Sequence, residues 1–415
     1  MDKQFRPHIA SRAYLNEGDD KILSINAEAK EQIFQGKTVI NASIGTLFNE
    51  AGLFSSLPII DEALSTSLST EGRSYPSVGG SHPFQEGVLK WLLLDRFDQI
   101  THEYYTKVVA TPGGTGAITL ALRNYTELNQ SVLIPSPGWA NYKAIISQSG
   151  AQPLMYPLYE GDHFNNEGIE RLMIEVALKE ERVFIVLNDP SHNPTGYTLS
   201  EDELDMFIAS LNKVSVIGPV IVLFDIAYFD FSKEERSRLI FKKLASLDPN
   251  VLPLFAFSAS KTFSIYGLRL GALVAFSHNE ATIKTFEQVS LSVARAIWSC
   301  SNAHALQTLT LLLQDPIKRN TLHLELKKER SMLEKRGTLF TREAKEAGLK
   351  TFPYQSGFFI TVWCPRANIV ALELKTKGIF VLPINNEFLR IALSCITLEQ
   401  TTGLAEKIHQ AMQQQ

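Results

Sequence analysis

Cysteine is scarce in this 415-residue chain: there are three, Cys300, Cys364 and Cys395, far apart in the sequence. That spacing excludes a disulfide framework and any CxxC zinc or redox site, and it predicts reduced, packing-type thiols. Long apolar runs are missing as well. No stretch of about 18 apolar residues occurs, which excludes a membrane-spanning helix, and the opening MDKQFRPHIASRAYL has no apolar signal core. A cytoplasmic address is the expectation. Excess charge of one sign is also absent: 40 Lys and Arg stand against 44 Asp and Glu, a formal charge of −4. That balance argues against electrostatic capture of nucleic acid and points to a small-molecule partner. There is no internal repeat, and no low-complexity segment beyond a terminal QQQ. A hydrophobic content of 45% with 20% charged residues describes a stably globular chain, long enough for two or three modules.

From about residue 105 the chain alternates short apolar runs with segments long enough for helices. The runs KVVATP (107–112), SVLIPSP (131–137), RVFIVLN (182–188), VIVLFD (220–225), LPLFAFS (252–258) and LGALVAFS (270–277) are β-branched or aromatic and nearly continuous. Such strands predict a mostly parallel sheet covered on both faces by helices, a three-layer α/β/α domain. After residue 277 the texture becomes helical, including a charge-rich stretch over 317–348 that reads as a bridge between domains, most of its Lys and Arg solvated. Runs at 358–363, 379–384 and 389–394 read as strands. A final amphipathic helix carries Leu404, Ile408 and Met412 at four-residue spacing, so the C-terminal part is a smaller α+β domain.

Ligands of open α/β sheets bind beyond the carboxyl ends of the strands, so the residues following each run are the candidates. PGGTGAITLAL (112–122) places glycines at a strand-to-helix turn, where free N–H groups and the helix dipole favour a phosphate. It lacks the third glycine of GxGxxG and the GK[ST] of a P-loop, and a simple tight turn is the other reading. Asp225 closes a wholly apolar run, so its carboxylate is expected to be desolvated and to want a cation, unless it caps a helix or pairs with an arginine. The run 251–257 ends in Ser258, Ser260 and Lys261, with Arg269 eight residues on. A lysine framed this way becomes a nucleophile if burial and a neighbouring cation lower its pKa; surface charge is the alternative.

Together these residues resemble a known family. SASKTFSIYGLRLG is similar to the S-x-S-K…R-x-G signature of class I pyridoxal-phosphate aminotransferases of fold type I, and HNPTG (192–196) to their N-P-T-G element. DIAY (225–228), GWANY and GGTGA also match, in the family's order. INASIGTLFNEAG (40–52), SYPSVGGSHPF (74–84), RAIWSCSNAHA (295–305) and FLRIALS (388–394) extend the likeness toward the aspartate and aromatic amino acid branch, over nearly the whole chain.

The resemblance implies an N-terminal arm and part of the small domain over 1–50, a large pyridoxal phosphate domain over 51–315 and a small domain over 316–415. It implies that Lys261 holds pyridoxal 5′-phosphate as a Schiff base, that Asp225 pairs with the ring nitrogen, and that Tyr228 and Asn193 bond the ring oxygen. Trp139 stacks on the ring. Ser258, Arg269 and the backbone of Gly114 and Thr115 hold the phosphate, with Gly113 and Ser260 beside them and Tyr75 arriving from a neighbouring subunit. Arg390 grips the substrate α-carboxylate with help from Gly45 and Asn193, and Arg295 reaches across a two-fold dimer to a side-chain carboxylate. The implied reaction is ping-pong transfer of an amino group from a dicarboxylic or aromatic L-amino acid to a 2-oxo acid, with no metal.

Departures from the branch are Tyr142 and Asn188 where histidines are frequent, Gly113 in place of serine, and Trp298 in place of tyrosine. They put narrow aspartate specificity in doubt. A lyase or decarboxylase of the same fold uses the same cofactor residues, and a cofactor-sensing regulatory domain is the reading outside enzymology. Only about forty residues precede the first matching segment, too few for a DNA-binding module and linker.

Overall fold

Valine, isoleucine, leucine and phenylalanine fill the runs that become the central sheet. The computed structural model describes His8, residues 21–68 and residues 71–414; of the arm expected over 1–50, residues 1–7 and 9–20 lie outside the described part, as does the last residue of the QQQ tail. Seven strands pair in one sheet: β1 (Tyr105–Thr111), β2 (Ser131–Ser136), β3 (Gln152–Pro157), β4 (Val183–Asn188), β5 (Val220–Asp225), β6 (Val251–Ser258) and β7 (Gly271–Ser277). Their order is β1-β7-β6-β5-β4-β2-β3, with β7 antiparallel to both neighbours and every other pair parallel.

Alternate residues of β4 and β5 enter different cores. Val183, Ile185, Leu187, Val220, Val222 and Phe224 pack on one face with helices Asn166–Glu180 and Glu201–Ser215. Phe184, Val186, Ile221 and Leu223 pack on the other with helices Gly113–Tyr125, Asn141–Gln148 and Glu280–Ile297. The period of two along a strand therefore produces three layers, and both central strands are buried from end to end.

Strand β3 was not legible as one, because its sequence QPLMYP carries two prolines. It pairs only with β2, and an edge is where a strand tolerates residues that cannot donate to a ladder.

The run expected as one strand over 379–384 is divided between two partners. Ile379–Phe380 pairs in parallel with Ile40–Asn41, whereas β9 (Leu382–Ile384) joins β8 (Phe359–Trp363) and β10 (Phe388–Ala392) in an antiparallel sheet ordered β8-β10-β9. A segment more than 300 residues upstream supplies the extra partner, so nothing local marks the break. The run over 389–394 likewise ends early, at Ala392, and turns through Leu393–Cys395. Helix Leu404–Gln413 buries Leu404 and Ile408 against this sheet, with Met412 partly buried.

The charge-rich stretch is a single helix, Pro316–Glu346, started by the Asp315 side chain accepting from the N–H groups of Ile317 and Lys318. Its Leu322, Leu326 and Leu333 pack with the sheet core, while Phe340 and Ala344 pack with β8 and β10. Two of its arginines, Arg330 and Arg336, are buried rather than solvated.

Candidate active site

The register of the sheet gathers its polar strand ends. Asn188 lies opposite Asp225, and Asp225 opposite Ala256, two residues short of Ser258. The loops beyond these ends line a cavity of about 320 Å³ with Trp139, Asn188, Asn193, Asp225, Tyr228, Ser258, Ser260 and Lys261. Gly114 and Thr115 line it from the first turn of helix Gly113–Tyr125. No side chain caps that helix, so its first N–H groups are left for a ligand. Arg390 and Phe359 enter from β10 and β8, and Gly45 from the segment after Asn41.

Lys261 is the electrostatic centre. Its Nζ donates to the Gly45 carbonyl at 2.9 Å and lies 4.7 Å from the Tyr266 ring centroid. Burial, with the Arg269 and Arg390 cations nearby, pulls its pKa down to about 7. Among the described residues no lysine, arginine or histidine forms an ion pair with Asp225. It accepts instead from the Tyr142 hydroxyl at 2.5 Å and from the Ala227 N–H at 3.1 Å. Burial raises its pKa, and those two bonds offset part of the rise. Tyr142 thus takes up at Asp225 the place where the branch carries histidine. Asn188, the other departure, ties the layer together: its Nδ2 donates to the Asp225 carbonyl at 2.8 Å and its Oδ1 accepts from the Asn193 N–H at 2.7 Å.

Arg390 is 3% exposed; it donates to the Asn193 Oδ1 at 3.3 Å and to the Ser43 carbonyl at 2.6 Å, and its guanidinium lies 4.3 Å from the Phe359 ring centroid. Arg269 stands at the cavity mouth and donates to the Ser260 hydroxyl at 3.1 Å and the Tyr266 carbonyl at 2.9 Å. Gly113 has φ +76°, and a Cβ there would lie 2.5 Å from Arg269 Nη2. A serine, frequent at this position, would meet a strained backbone here and would displace the guanidinium.

Two expected site residues lie elsewhere in the single chain. Tyr75 is 93% exposed, and Arg295 is exposed on helix Glu280–Ile297, where its Nη1 donates to the Ser299 hydroxyl. Trp298 is partly buried against the core beneath that helix and does not line the cavity. Conversely, Ile22, Ile44, Thr46, Ile118, Tyr266 and Phe359 line the cavity without having been singled out. Tyr266 follows Lys261 by five residues, inside the same quoted motif, and Ile44, Thr46 and Ile118 likewise lie within quoted segments. Ile22 comes from helix Lys21–Phe34, which carries no motif.

The cavity therefore offers an amine whose pKa is brought down to about 7, a buried carboxylate with no cationic partner among the described residues, an uncapped helix start beside an arginine and two serines, and a buried arginine. The profile of the aminotransferase class I and II family matches residues 37–408. This chain belongs to that family. The aminotransferase is similar to the aromatic-amino-acid aminotransferase of Paracoccus denitrificans, with 27% identity over 316 residues, 75% of this chain and 77% of the relative. It is similar to the aspartate aminotransferase of Salmonella typhi, with 26% identity over 318 residues, 74% of this chain and 77% of the relative. A solved aminotransferase from Anaerococcus prevotii superposes with a TM-score of 0.92 at 29% identity, over 98% of this chain and 99% of that one.

Proposed function

We propose that the cavity binds pyridoxal 5′-phosphate at Lys261 and transfers an amino group between an L-amino acid, dicarboxylic or aromatic, and a 2-oxo acid. The observation that carries this reading is the Lys261 amine, brought near neutrality in one cavity with Asp225 and Arg390. Three features support the fit. The uncapped helix start with Ser258, Ser260 and Arg269 suits a phosphate, the buried Asp225 suits a protonated ring nitrogen, and the lysine suits an aldehyde. When bound, the cofactor supplies that aldehyde for linkage to amines and a cationic ring that draws electron density from the substrate α-carbon.

The chain's own residues do the remaining work. Lys261 would anchor the cofactor, and its Nζ, once free, would accept the proton lost by the substrate α-carbon and give it up again as an acid. Asp225 would hold a proton on the ring nitrogen, with Tyr142 and Ala227 keeping the carboxylate in position. Tyr228 and Asn193 would bond the ring oxygen, and Trp139 would pack against the ring. Ser258, Ser260, Arg269 and the backbone of Gly113, Gly114 and Thr115 hold the phosphate. Arg390 takes the α-carboxylate with its planar fork of donors, assisted by Asn193 and the Gly45 backbone. Both half-reactions use one site, so the kinetics are ping-pong.

The reading includes a two-fold homodimer, because Tyr75 and Arg295 stand outside their own chain's cavity and act only on a second copy's. It divides the chain at 1–50, 51–315 and 316–415, a division supported by the pairing of Ile40–Asn41 with Ile379–Phe380 and by the apolar cluster around Phe340, Val370 and Leu404. No described helix is long and apolar enough to cross a membrane. A cytoplasmic setting accords with three free cysteines.

The test is a panel of half-reactions with L-aspartate, L-glutamate, L-phenylalanine, L-tyrosine and L-alanine, following release of each 2-oxo acid from wild type and Arg295→Leu. Loss confined to the dicarboxylates supports the role of Arg295, and equal loss with every substrate removes it. A wild type that releases no 2-oxo acid from any of the five overturns the reading.

A further inference from the structure

Arg336 lies outside the cavity and has no part in the reaction described above, yet its side chain is completely buried, 0% exposed, on helix Pro316–Glu346. A buried guanidinium persists only where its charge is paired and its donors are used. Here Nε donates to Glu50 Oε1 at 2.9 Å, and Nη2 approaches the same oxygen at 2.8 Å. Nη2 also donates to the Phe48 carbonyl at 2.9 Å, while Nη1 donates to the Leu393 and Ser394 carbonyls at 3.1 and 3.3 Å. The other oxygen of Glu50 accepts from the Leu398 N–H at 2.7 Å.

These partners belong to the two segments that meet over the cavity. Phe48 ends the roof segment, whose Gly45 carbonyl accepts from Lys261, whose Ser43 carbonyl accepts from Arg390 and whose Leu47 N–H donates to the Tyr266 hydroxyl. Leu393 and Ser394 follow Arg390 at the exit of β10. Further backbone bonds join the segments, from Phe48 N–H to the Ser394 carbonyl at 2.8 Å and from Ala392 N–H to the Ala42 carbonyl at 2.9 Å. One guanidinium thus bonds the roof and the end of the arginine strand at once, from a third element, a continuous helix of 31 residues. Its planar fork fixes directions as well as charge, which a lysine ammonium does not.

We infer that Arg336, held by Glu50, is a positioning residue: it registers the roof, residues 43–48, against the strand carrying Arg390 and thereby sets the affinity of the cavity for the substrate carboxylate. The inference rests on the reading that Arg390 receives that carboxylate. It assigns Arg336 to substrate binding and leaves the phosphate cradle outside its influence, since none of its partners touches Asp225, Ser258 or the helix start at Gly113; cofactor content is read because the roof also meets Lys261 through the Gly45 carbonyl.

The test compares Arg336→Lys, Arg336→Met and Glu50→Gln with wild type, as holoenzymes. Three quantities are read: the Kd of 3-phenylpropionate, a carboxylate with no amino group to react; KM and kcat with L-glutamate; and the cofactor content after gel filtration. The expected result for Arg336→Lys is a rise in Kd and KM of about tenfold with kcat within about twofold and cofactor content unchanged, because a small misplacement of a binding group is felt mainly in the contact it serves. Glu50→Gln, at a position 47% exposed and with an oxygen kept for the guanidinium, is the milder change and is expected to move Kd and KM the same way by a smaller factor. A lowered melting temperature with wild-type Kd and KM overturns the inference, as does a loss of cofactor that accounts for the loss of activity. If both Arg336 variants fail to fold, Glu50→Gln decides, and wild-type Kd and KM there overturn the inference. A wild type that binds 3-phenylpropionate but transaminates nothing refutes the proposed activity instead, and the Kd comparison still reads the clamp.

Discussion

At the scale of single residues, the proposed chemistry depends on one lysine losing its proton. Burial is the larger cause and the neighbouring Arg269 and Arg390 the smaller, and together they bring Lys261 from 10.5 to about 7. The neutral amine is the nucleophile, and its fraction rises as pH climbs through the pKa. Capture of pyridoxal, which lacks the phosphate, by the cofactor-free protein is therefore expected to accelerate from pH 6 to 8 and then level off, followed by the absorbance of the linked ring. A rate still climbing in proportion to hydroxide up to pH 10 contradicts the assignment. Linkage gives the sign for stability: between about pH 7 and 10.5 the folded cofactor-free protein holds fewer protons at Nζ than the unfolded chain, so this group favours folding increasingly as pH rises through that window. The lysine itself was legible in the sequence because charges and hydroxyls at the end of an apolar strand are out of place. Tyr142 and Asn188 were legible only as departures from a pattern. Their bonds to Asp225 and Asn193 join strand ends and loops that are distant in sequence, and no local spacing marks such a contact.

At the scale of elements, the helix that begins at Gly113 shows what a glycine contributes. Its φ of +76° and the 2.5 Å separation from Arg269 Nη2 mean that even one methyl group strains the turn and pushes the guanidinium off Ser260 and the Tyr266 carbonyl. The backbone penalty alone is about 1 kcal/mol or more for a side chain forced into the left-handed region. Gly113→Ala is expected to weaken retention of pyridoxal phosphate by about tenfold, the equivalent of 1.4 kcal/mol, while leaving capture of pyridoxal unchanged. Equal weakening of both ligands contradicts a role confined to the phosphate. The central strands were readable because burial on two faces demands continuous apolar sequence. The edge strand Gln152–Pro157 was not, since pairing on one side relaxes that demand and admits Pro153 and Pro157. The roof segment stood out in the sequence only through its likeness to the aspartate and aromatic amino acid branch. Its attachment to Arg336 was hidden in a helix whose charges mostly face water, where a buried arginine is indistinguishable by composition from its neighbours.

At the scale of the whole molecule, helix Pro316–Glu346 joins two apolar cores, and the cavity lies where their polar strand ends meet. One chain supplies the cofactor side of this cavity and Arg390 but leaves Tyr75 and Arg295 facing outward. If a second copy completes the site, activity with dicarboxylates belongs to pairs of chains, and complementation reveals it. A hybrid dimer purified with different tags on a Lys261→Ala chain and an Arg295→Leu chain holds one cavity with both its own Lys261 and the other chain's Arg295, and one cavity with neither. Such a hybrid is expected to turn over L-aspartate at about half the wild-type rate per dimer, although each parent homodimer is impaired. If Arg295 serves its own chain, no cavity in the hybrid has both groups, and turnover per dimer falls to about half that of the Arg295→Leu homodimer, which keeps two Lys261 cavities to the hybrid's one. Phenylalanine separates a third case. Its turnover depends on Lys261 but not on a distal cation, so a hybrid active with phenylalanine and inactive with aspartate has an intact cofactor site and an Arg295 that does not cross between chains.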